Sequence, residues 1–153
     1  MDKKPETSAD PIDVWARLQR ASGAVLARVE SRLKVEGFPP LAWYDILLEL
    51  RRADGQALRP VEIEKRILLA QYNVSRLIDR LVAAGYVEKR RSKEDGRGVV
   101  ICLLPDGAAL LDTMWPCYRD AVETEFAAHL ETGDAETLWK ILGHLLPGDG
   151  RSP

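Results

Sequence analysis

The residues with the clearest chemical potential lie in segment 71–81, which combines hydrogen-bonding side chains with a helical apolar repeat. Its apolar residues recur at the i, i+3, i+4, i+7 spacing of one buried helix face, and they are Val74, Leu77, Ile78 and Leu81. The opposite face carries Tyr72, Asn73, Ser75, Arg76, Asp79 and Arg80, and Gln71 precedes them as a further candidate contact. Guanidinium groups read guanine, and side-chain amides read adenine, in the major groove. The segment therefore predicts a recognition helix that inserts its N-terminal half into DNA.

A basic hairpin pattern follows this helix, which Gly85 is placed to end. Residues 86–92 and 99–103 are strand-like, and the turn between them, 93–98, contains two glycines. At its tip, Arg97 is predicted to reach into a minor groove and Asp95 to orient that guanidinium. Three further basic residues are predicted to bind phosphates and so to position the protein: Arg90, Arg91 and Lys93.

Apolar periodicity predicts the elements that position these two parts. The first helix has a sparse apolar stripe among several arginines, which suits a dimer arm better than a monomer core. The second is apolar nearly all round and is predicted to be deeply buried. A short strand is predicted at 57–59. The predicted helices span 11–36, 40–52, 60–67, 105–130 and 134–146.

Local residue types predict four further details of these helices. In the third helix, Val61, Ile63 and Ile67 are predicted to face inward. Ala70 is a poor N-cap for a recognition helix that begins at Gln71. Pro116 is predicted to kink or interrupt the helix over 105–130, and Asp134 to cap the last helix.

Composition indicates an ordinary globular domain without a membrane segment. Of 153 residues, 46% are hydrophobic and 30% are charged. No apolar run approaches the roughly 20 residues of a membrane span, and no signal-peptide core is present, so a cytoplasmic location without a membrane partner is expected. Net charge is −2, but residues 76–104 carry seven bases and four acids (+3), and residues 105–153 carry three bases and nine acids (−6). This distribution favours a DNA-facing centre.

The sequence offers no pattern for catalysis, metal binding or a cofactor. No nucleophile–base pair, phosphate loop or catalytic carboxylate pair is found, so an enzyme is not expected. His129 and His144 lack companion ligands at metal spacing. Cys102 and Cys117 lack C-x-x-C spacing, which suits a reducing compartment. Regulation by oxidation of Cys102 or Cys117 remains an alternative.

The segments 74–81, 85–90, 95–97 and 103–107 resemble the MarR family of bacterial transcription regulators. The resemblance extends over residues 11–147. It implies a mainly α fold with a small β-hairpin wing, which is a winged helix-turn-helix with N- and C-terminal dimerisation helices. It also implies a homodimer that binds a pseudo-palindromic double-stranded DNA operator, commonly as a repressor, with affinity modulated by a small aromatic or phenolic effector.

The resemblance also implies a domain organisation. Residues 11–147 would form a single domain between an N-terminal tail, 1–10, and a C-terminal tail, 148–153. Within that domain, 11–36 and 105–147 would form the dimerisation helices, and 40–104 the DNA-binding lobe.

An effector pocket between the two parts would be lined by aromatic side chains, although core packing is the simpler reading of each. The candidates are Trp15, Trp43, Tyr44, Trp115 and Tyr118. The alternative function is a winged-helix module that binds protein without DNA. Such a module would present an apolar outer face over residues 72–80, whereas this face is polar and basic.

Overall fold

The structure is a computed structural model that describes residues 9–68, 73–94, 96 and 98–148. It divides into a central unit, Glu30–Asp120, and a terminal unit formed by Met1–Val29 and Ala121–Pro153. The elements are α1 (Pro11–Val35), α2 (Leu41–Arg52), β1 (Ala57–Leu58), α3 (Pro60–Arg66), α4 (Val74–Ala83), β2 (Val87–Arg91), β3 (Val99–Leu103), α5 (Pro105–Glu125) and α6 (Asp134–Leu145). The predicted mainly α fold with a small hairpin is confirmed.

The three strands form an antiparallel sheet in the order β1-β3-β2. In the hairpin, Val87 pairs with Leu103 and Arg91 with Val99, so the two strands match along their full length. Leu58 of β1 pairs with Ile101 on the other edge of β3. The inner end of β3 is buried, and its outer end, toward the turn, is exposed. The hairpin therefore projects from the core as a wing.

The core of the central unit is built around α2, as its apolar sequence predicts. Ile46, Leu47 and Leu50 have no solvent exposure, and Ile63 of α3 is equally buried. The prediction for Val61 is wrong, because its side chain is 53% exposed. Residues two positions apart in a helix point about 200° away from each other, so Val61 and Ile63 cannot both face the core.

The long helix α5 continues through Pro116, so the predicted interruption is wrong, and it ends earlier than expected at Glu125. Pro116 removes one backbone hydrogen bond. Met114 and Ala121, which lie on either side of it in the helix, are completely buried.

The predicted cap of α6 is also wrong. Gly133 is the N-cap, with a φ of +91°, and Asp134 is the first helical residue. The Asp134 carboxylate instead accepts a hydrogen bond from the backbone N–H of Glu131 at 2.8 Å. A carboxylate in the first turn still interacts favourably with the helix dipole.

The terminal unit leaves large apolar side chains in solvent. Ile12 and Trp15 of α1 are 75% and 63% exposed, and Trp139 and Leu145 of α6 are 70% and 66% exposed. No residue of α6 is buried. Within the described ranges, no helix has the length and apolar character that crossing a membrane requires.

Candidate nucleic-acid interface

Helix α4 separates a buried face from an exposed polar face. Its four predicted apolar residues are all buried, and Leu81 is completely so. The outer face exposes Ser75, Arg76, Asp79 and Arg80. Arg76 and Arg80 form no ion pair with any described residue, so both guanidinium groups are available to a ligand. Within the part of the chain that the structure describes, the helix therefore presents two unpaired guanidinium groups and the hydroxyl group of Ser75.

The start of α4 corrects the prediction of a poorly capped helix. The helix begins at Val74, and Asn73 is its N-cap, with Oδ1 accepting a hydrogen bond from the backbone N–H of Arg76 at 3.2 Å. Asparagine is among the strongest N-cap residues. Ala70, together with the predicted contact residues Gln71 and Tyr72, lies outside the described residues.

The end of α4 is a Schellman motif at the predicted glycine. Gly85 has a φ of +79°. Its N–H donates to the carbonyl of Val82 at 3.0 Å, and the N–H of Tyr86 donates to the carbonyl of Leu81 at 3.1 Å. This pair of bonds satisfies the last helical carbonyls and turns the chain directly into β2.

Helix α3, which precedes α4, is seven residues long, and its first turn contains a proline and a hydrogen bond from the N-cap backbone to a side chain. Pro60 occupies the first turn of α3, and the backbone N–H of Arg59 donates to Glu62 Oε1 at 3.1 Å. The helix ends at Arg66, and its C-cap, Ile67, adopts an extended backbone. Together, α3 and α4 supply the two helices of a helix-turn-helix.

The wing supplies further positive charge. Ser92 is buried, and its N–H donates to the Gly98 carbonyl at 2.8 Å, which extends the hairpin by one step. Arg91 and Lys93 are exposed beside it. The predicted tip residues Asp95 and Arg97 lie outside the described residues.

Two wing cations are held by carboxylates of the same chain. Lys89 Nζ lies 2.7 Å from Asp79 Oδ1, and this pair joins β2 to α4. Arg90, a predicted phosphate contact, forms an ion pair with Glu88. Arg90 must leave that carboxylate, or share it, to reach a phosphate.

Three of the five predicted pocket aromatics meet within the central unit. Ring centroids lie 5.1 Å apart for Tyr44 and Tyr118, and 6.1 Å apart for Trp115 and Tyr118. Trp43 packs against Tyr86 instead, with ring centroids 6.0 Å apart. Trp15 belongs to the terminal unit.

A small cavity of about 60 Å³ adjoins the two tyrosines. It is lined by Leu41, Tyr44, Asp45, Leu48, Leu68 and Tyr118. Burial, the Asp45 carboxylate and the neighbouring Tyr44 raise the pKa of Tyr118. Burial and the Asp112 carboxylate raise the pKa of Tyr44, although Arg51 and Arg52 oppose the shift. Both hydroxyl groups are therefore neutral hydrogen-bonding groups near pH 7.

Asp45 is the residue in this cavity that the sequence reasoning missed. Its side chain is 9% exposed, and its Oδ2 accepts a hydrogen bond from the backbone N–H of Leu68 at 2.6 Å. One feature of the sequence could have identified it: Asp45 is a single acid within the otherwise apolar stretch 41–48 of α2. A buried carboxylate is unfavourable unless it has hydrogen-bond partners, so an acid at such a position indicates a specific polar contact.

The cysteines are placed poorly for redox sensing. Cys102 is buried in β3. Burial, followed by the carboxylates of Glu36 and Asp120, raises the pKa of the Cys117 thiol, and Arg32 opposes the shift. The thiolate is the reactive form, so a raised pKa lowers reactivity near neutral pH.

Comparisons with known proteins agree on one family. The model of the MarR family matches residues 36–98. The multiple antibiotic resistance protein MarR of Escherichia coli is 30% identical over 122 residues, which cover 77% of this chain and 83% of that protein. The structure is also similar to that of Sco3205, a MarR family transcriptional regulator from Streptomyces coelicolor that was solved in complex with DNA. The TM-score is 0.78 at 24% identity, with 99% of this chain and 95% of that chain covered.

A second solved structure, that of BpsR from Bordetella bronchiseptica, was described for regulation of its DNA binding by 6-hydroxynicotinic acid. Its TM-score is 0.77 at 22% identity, with 97% of this chain and 100% of that chain covered. At these identities, both structural likenesses are likenesses of fold.

Proposed function

The chain belongs to the MarR family of transcriptional regulators, and we propose that it is a homodimeric repressor of a pseudo-palindromic DNA operator. One observation carries the proposal. Helix α4 buries its apolar face and exposes Arg76 and Arg80, neither of which is neutralised by a described carboxylate. A protein-binding helix would expose apolar side chains instead. As a DNA-binding regulator, the protein acts in the cytoplasm and carries out no chemical reaction.

In this proposal, α4 reads bases in the major groove, while the wing binds phosphates and reaches a minor groove through Arg97. Arg76 lies in the N-terminal half of α4, where bidentate contact with guanine is favoured. Arg80 lies one turn further on, next to Asp79. The remaining interface residues proposed from sequence are Gln71, Tyr72, Asn73 and Ser75 on the helix side, Arg90, Arg91, Lys93 and Arg97 on the wing, and Asp95, which orients Arg97. Phosphate contacts of the wing position the dimer, while base contacts specify the sequence.

The exposed apolar residues of the terminal unit support the homodimer. Large apolar side chains clustered on one part of a soluble chain mark an interaction surface. Here they include Ile12 and Trp15 on α1 and Trp139 and Leu145 on α6. A two-fold dimer presents two copies of α4, and DNA requires them about 34 Å apart, which is one helical turn.

Effector control is proposed to act through the same α4 spacing. An effector weakens DNA binding by preferring a dimer whose α4 spacing differs from 34 Å. The Tyr44–Tyr118 cavity has room for only a few water molecules at about 60 Å³. An aromatic or phenolic effector therefore needs this cavity to open before it can bind there.

Fluorescence anisotropy with the DNA upstream of the protein's own coding region tests the proposal. We expect tight, saturable binding by a dimer, and an affinity that falls steeply with salt. Binding to this DNA should exceed binding to scrambled duplex of the same composition by about a thousandfold or more. Equal affinity for both duplexes, if found for every candidate upstream region, would contradict the proposed repressor.

A further inference from the structure

Asp45 is the one charged side chain that the structure places in the buried class among the described residues. Removing a carboxylate from water is unfavourable unless hydrogen bonds replace the lost hydration. An apolar residue would complete the α2 core without that penalty. The carboxylate is therefore expected to make a polar contact that the folded protein needs.

The Asp45 carboxylate makes this contact at the start of the turn between α3 and α4. The backbone N–H of Leu68 donates to Asp45 Oδ2 at 2.6 Å, across 23 residues of sequence. Leu68 comes directly after Ile67, the C-cap of α3. A hydrogen bond to an ionised acceptor is shorter and stronger than a neutral one. Asp45 thus ties the first residue of the turn to the central helix of the core.

Side-chain packing holds this point of the turn only weakly. Leu68 is 72% exposed, although part of its side chain lines the cavity that Asp45 also lines. The helix before it, α3, is seven residues long and buries only Ile63 fully. The placement of the Leu68 backbone therefore depends strongly on the hydrogen bond to Asp45, and α4 begins six residues later, at Val74.

We propose that Asp45 is a positioning residue for DNA binding, which acts through the backbone of Leu68 on the placement of α4. The inference rests on the proposed function and adds a residue that lies outside the DNA-contacting surface. Loss of the bond allows α4 to occupy a wider range of orientations. Only a fraction of these match the groove, so the apparent affinity for DNA falls by that fraction.

Two substitutions of Asp45 separate charge from hydrogen bonding. Asp45→Asn keeps an acceptor oxygen in nearly the same volume, and Asp45→Ala removes it. We expect operator affinity to fall several-fold in the first and about tenfold to a hundredfold in the second. Amide hydrogen exchange at Leu68 should accelerate in the same order. The slope of affinity against salt should stay that of the wild type, because no phosphate contact is lost.

Asp112→Ala is the matched control, since Asp112 also receives a hydrogen bond, from Arg51 at 2.9 Å, but lies on α5. This variant should keep wild-type exchange at Leu68 and wild-type DNA affinity. Sedimentation of all variants should show the wild-type oligomeric state, which separates positioning from assembly.

Two results would overturn the inference. The first is unchanged exchange at Leu68 in Asp45→Asn, a test that stands even if Asp45→Ala does not fold. The second is accelerated exchange without any loss of operator affinity. Failure of the wild-type protein to prefer any upstream DNA would overturn the proposed function instead, and the exchange measurement distinguishes the two cases because it needs no DNA.

Discussion

Asp79 of α4 and Lys89 of β2 form an ion pair, with Oδ1 and Nζ 2.7 Å apart, that joins the proposed recognition helix to the wing. The two side chains are 66% and 49% exposed, so solvent screens their attraction. The pair therefore contributes little to folding stability. We expect its larger effect to be on the charge that the protein presents to DNA, because Asp79 holds the ammonium group of Lys89.

Replacing Asp79 with Asn tests this electrostatic role. We expect the free energy of unfolding to change by less than about 0.5 kcal/mol. Non-specific DNA affinity should rise, and the slope of log affinity against log salt should steepen by about 0.9, because Lys89 becomes free to bind one phosphate. Salt titrations by anisotropy measure the slope. Asp112→Asn, which removes a paired acid on α5, should leave it unchanged, and an unchanged slope in Asp79→Asn would exclude the role of the pair.

Arg76→Ala should cost about 1–3 kcal/mol of operator binding and relax the preference for one base pair in each half-site. The physical reason is the loss of a bidentate contact, which Arg76→Lys should not restore because an ammonium lacks the planar fork. Competition binding against operators changed one base pair at a time measures both effects. Arg52→Ala removes an equal charge at the end of α2 and should leave the base preference intact. A uniform loss across all operators would reassign Arg76 to a phosphate contact.

Gly107→Ala should destabilise the fold. A Cβ at Gly107 would lie 2.3 Å from the carbonyl oxygen of Tyr86 and 2.9 Å from Leu103 Cδ1. The Tyr86 oxygen also accepts a hydrogen bond from the N–H of Leu104 at 3.0 Å, so it cannot move freely. Overpacking of this kind costs about 1–3 kcal/mol, which urea unfolding detects.

The control for that experiment is Gly23→Ala in α1, where a Cβ meets no atom within 4 Å. Replacing a helical glycine in open space should raise stability by up to about 1 kcal/mol. Equal effects of the two substitutions would show that the close approach at Gly107 is relieved by movement of α5.

Cys117 should react slowly with iodoacetamide at neutral pH. Burial and the carboxylates of Glu36 and Asp120 raise its pKa. The thiolate fraction, and with it the rate, should keep rising at pH values where a free cysteine has already levelled off. Peroxide treatment at pH 7 should leave DNA affinity the same in wild type and Cys117→Ser. A peroxide-induced loss of affinity that Cys117→Ser abolishes would restore the redox alternative.

The sequence by itself determined the elements whose causes are local. The apolar repeat of α4, the turn at Gly85 and the strand 99–103 depend on side chains within about one helical turn or one strand, and all three were predicted correctly. The family resemblance rests on these same segments. Apolar periodicity alone did not predict which of two apolar residues in α3 faces the core: Ile63 is buried and Val61 is exposed.

Only the tertiary structure decided which distant groups meet. The N-cap of α4 is Asn73 and not Ala70. This cap could have been predicted from the sequence, because asparagine is a strong N-cap residue. The Asp45–Leu68 hydrogen bond was not, because it spans 23 residues and exists only when α2 packs against the end of α3. The same holds for the contact between Gly107 and the Tyr86 carbonyl. Periodicity reports which face of an element is buried, but the partner on that face is chosen by how the elements pack.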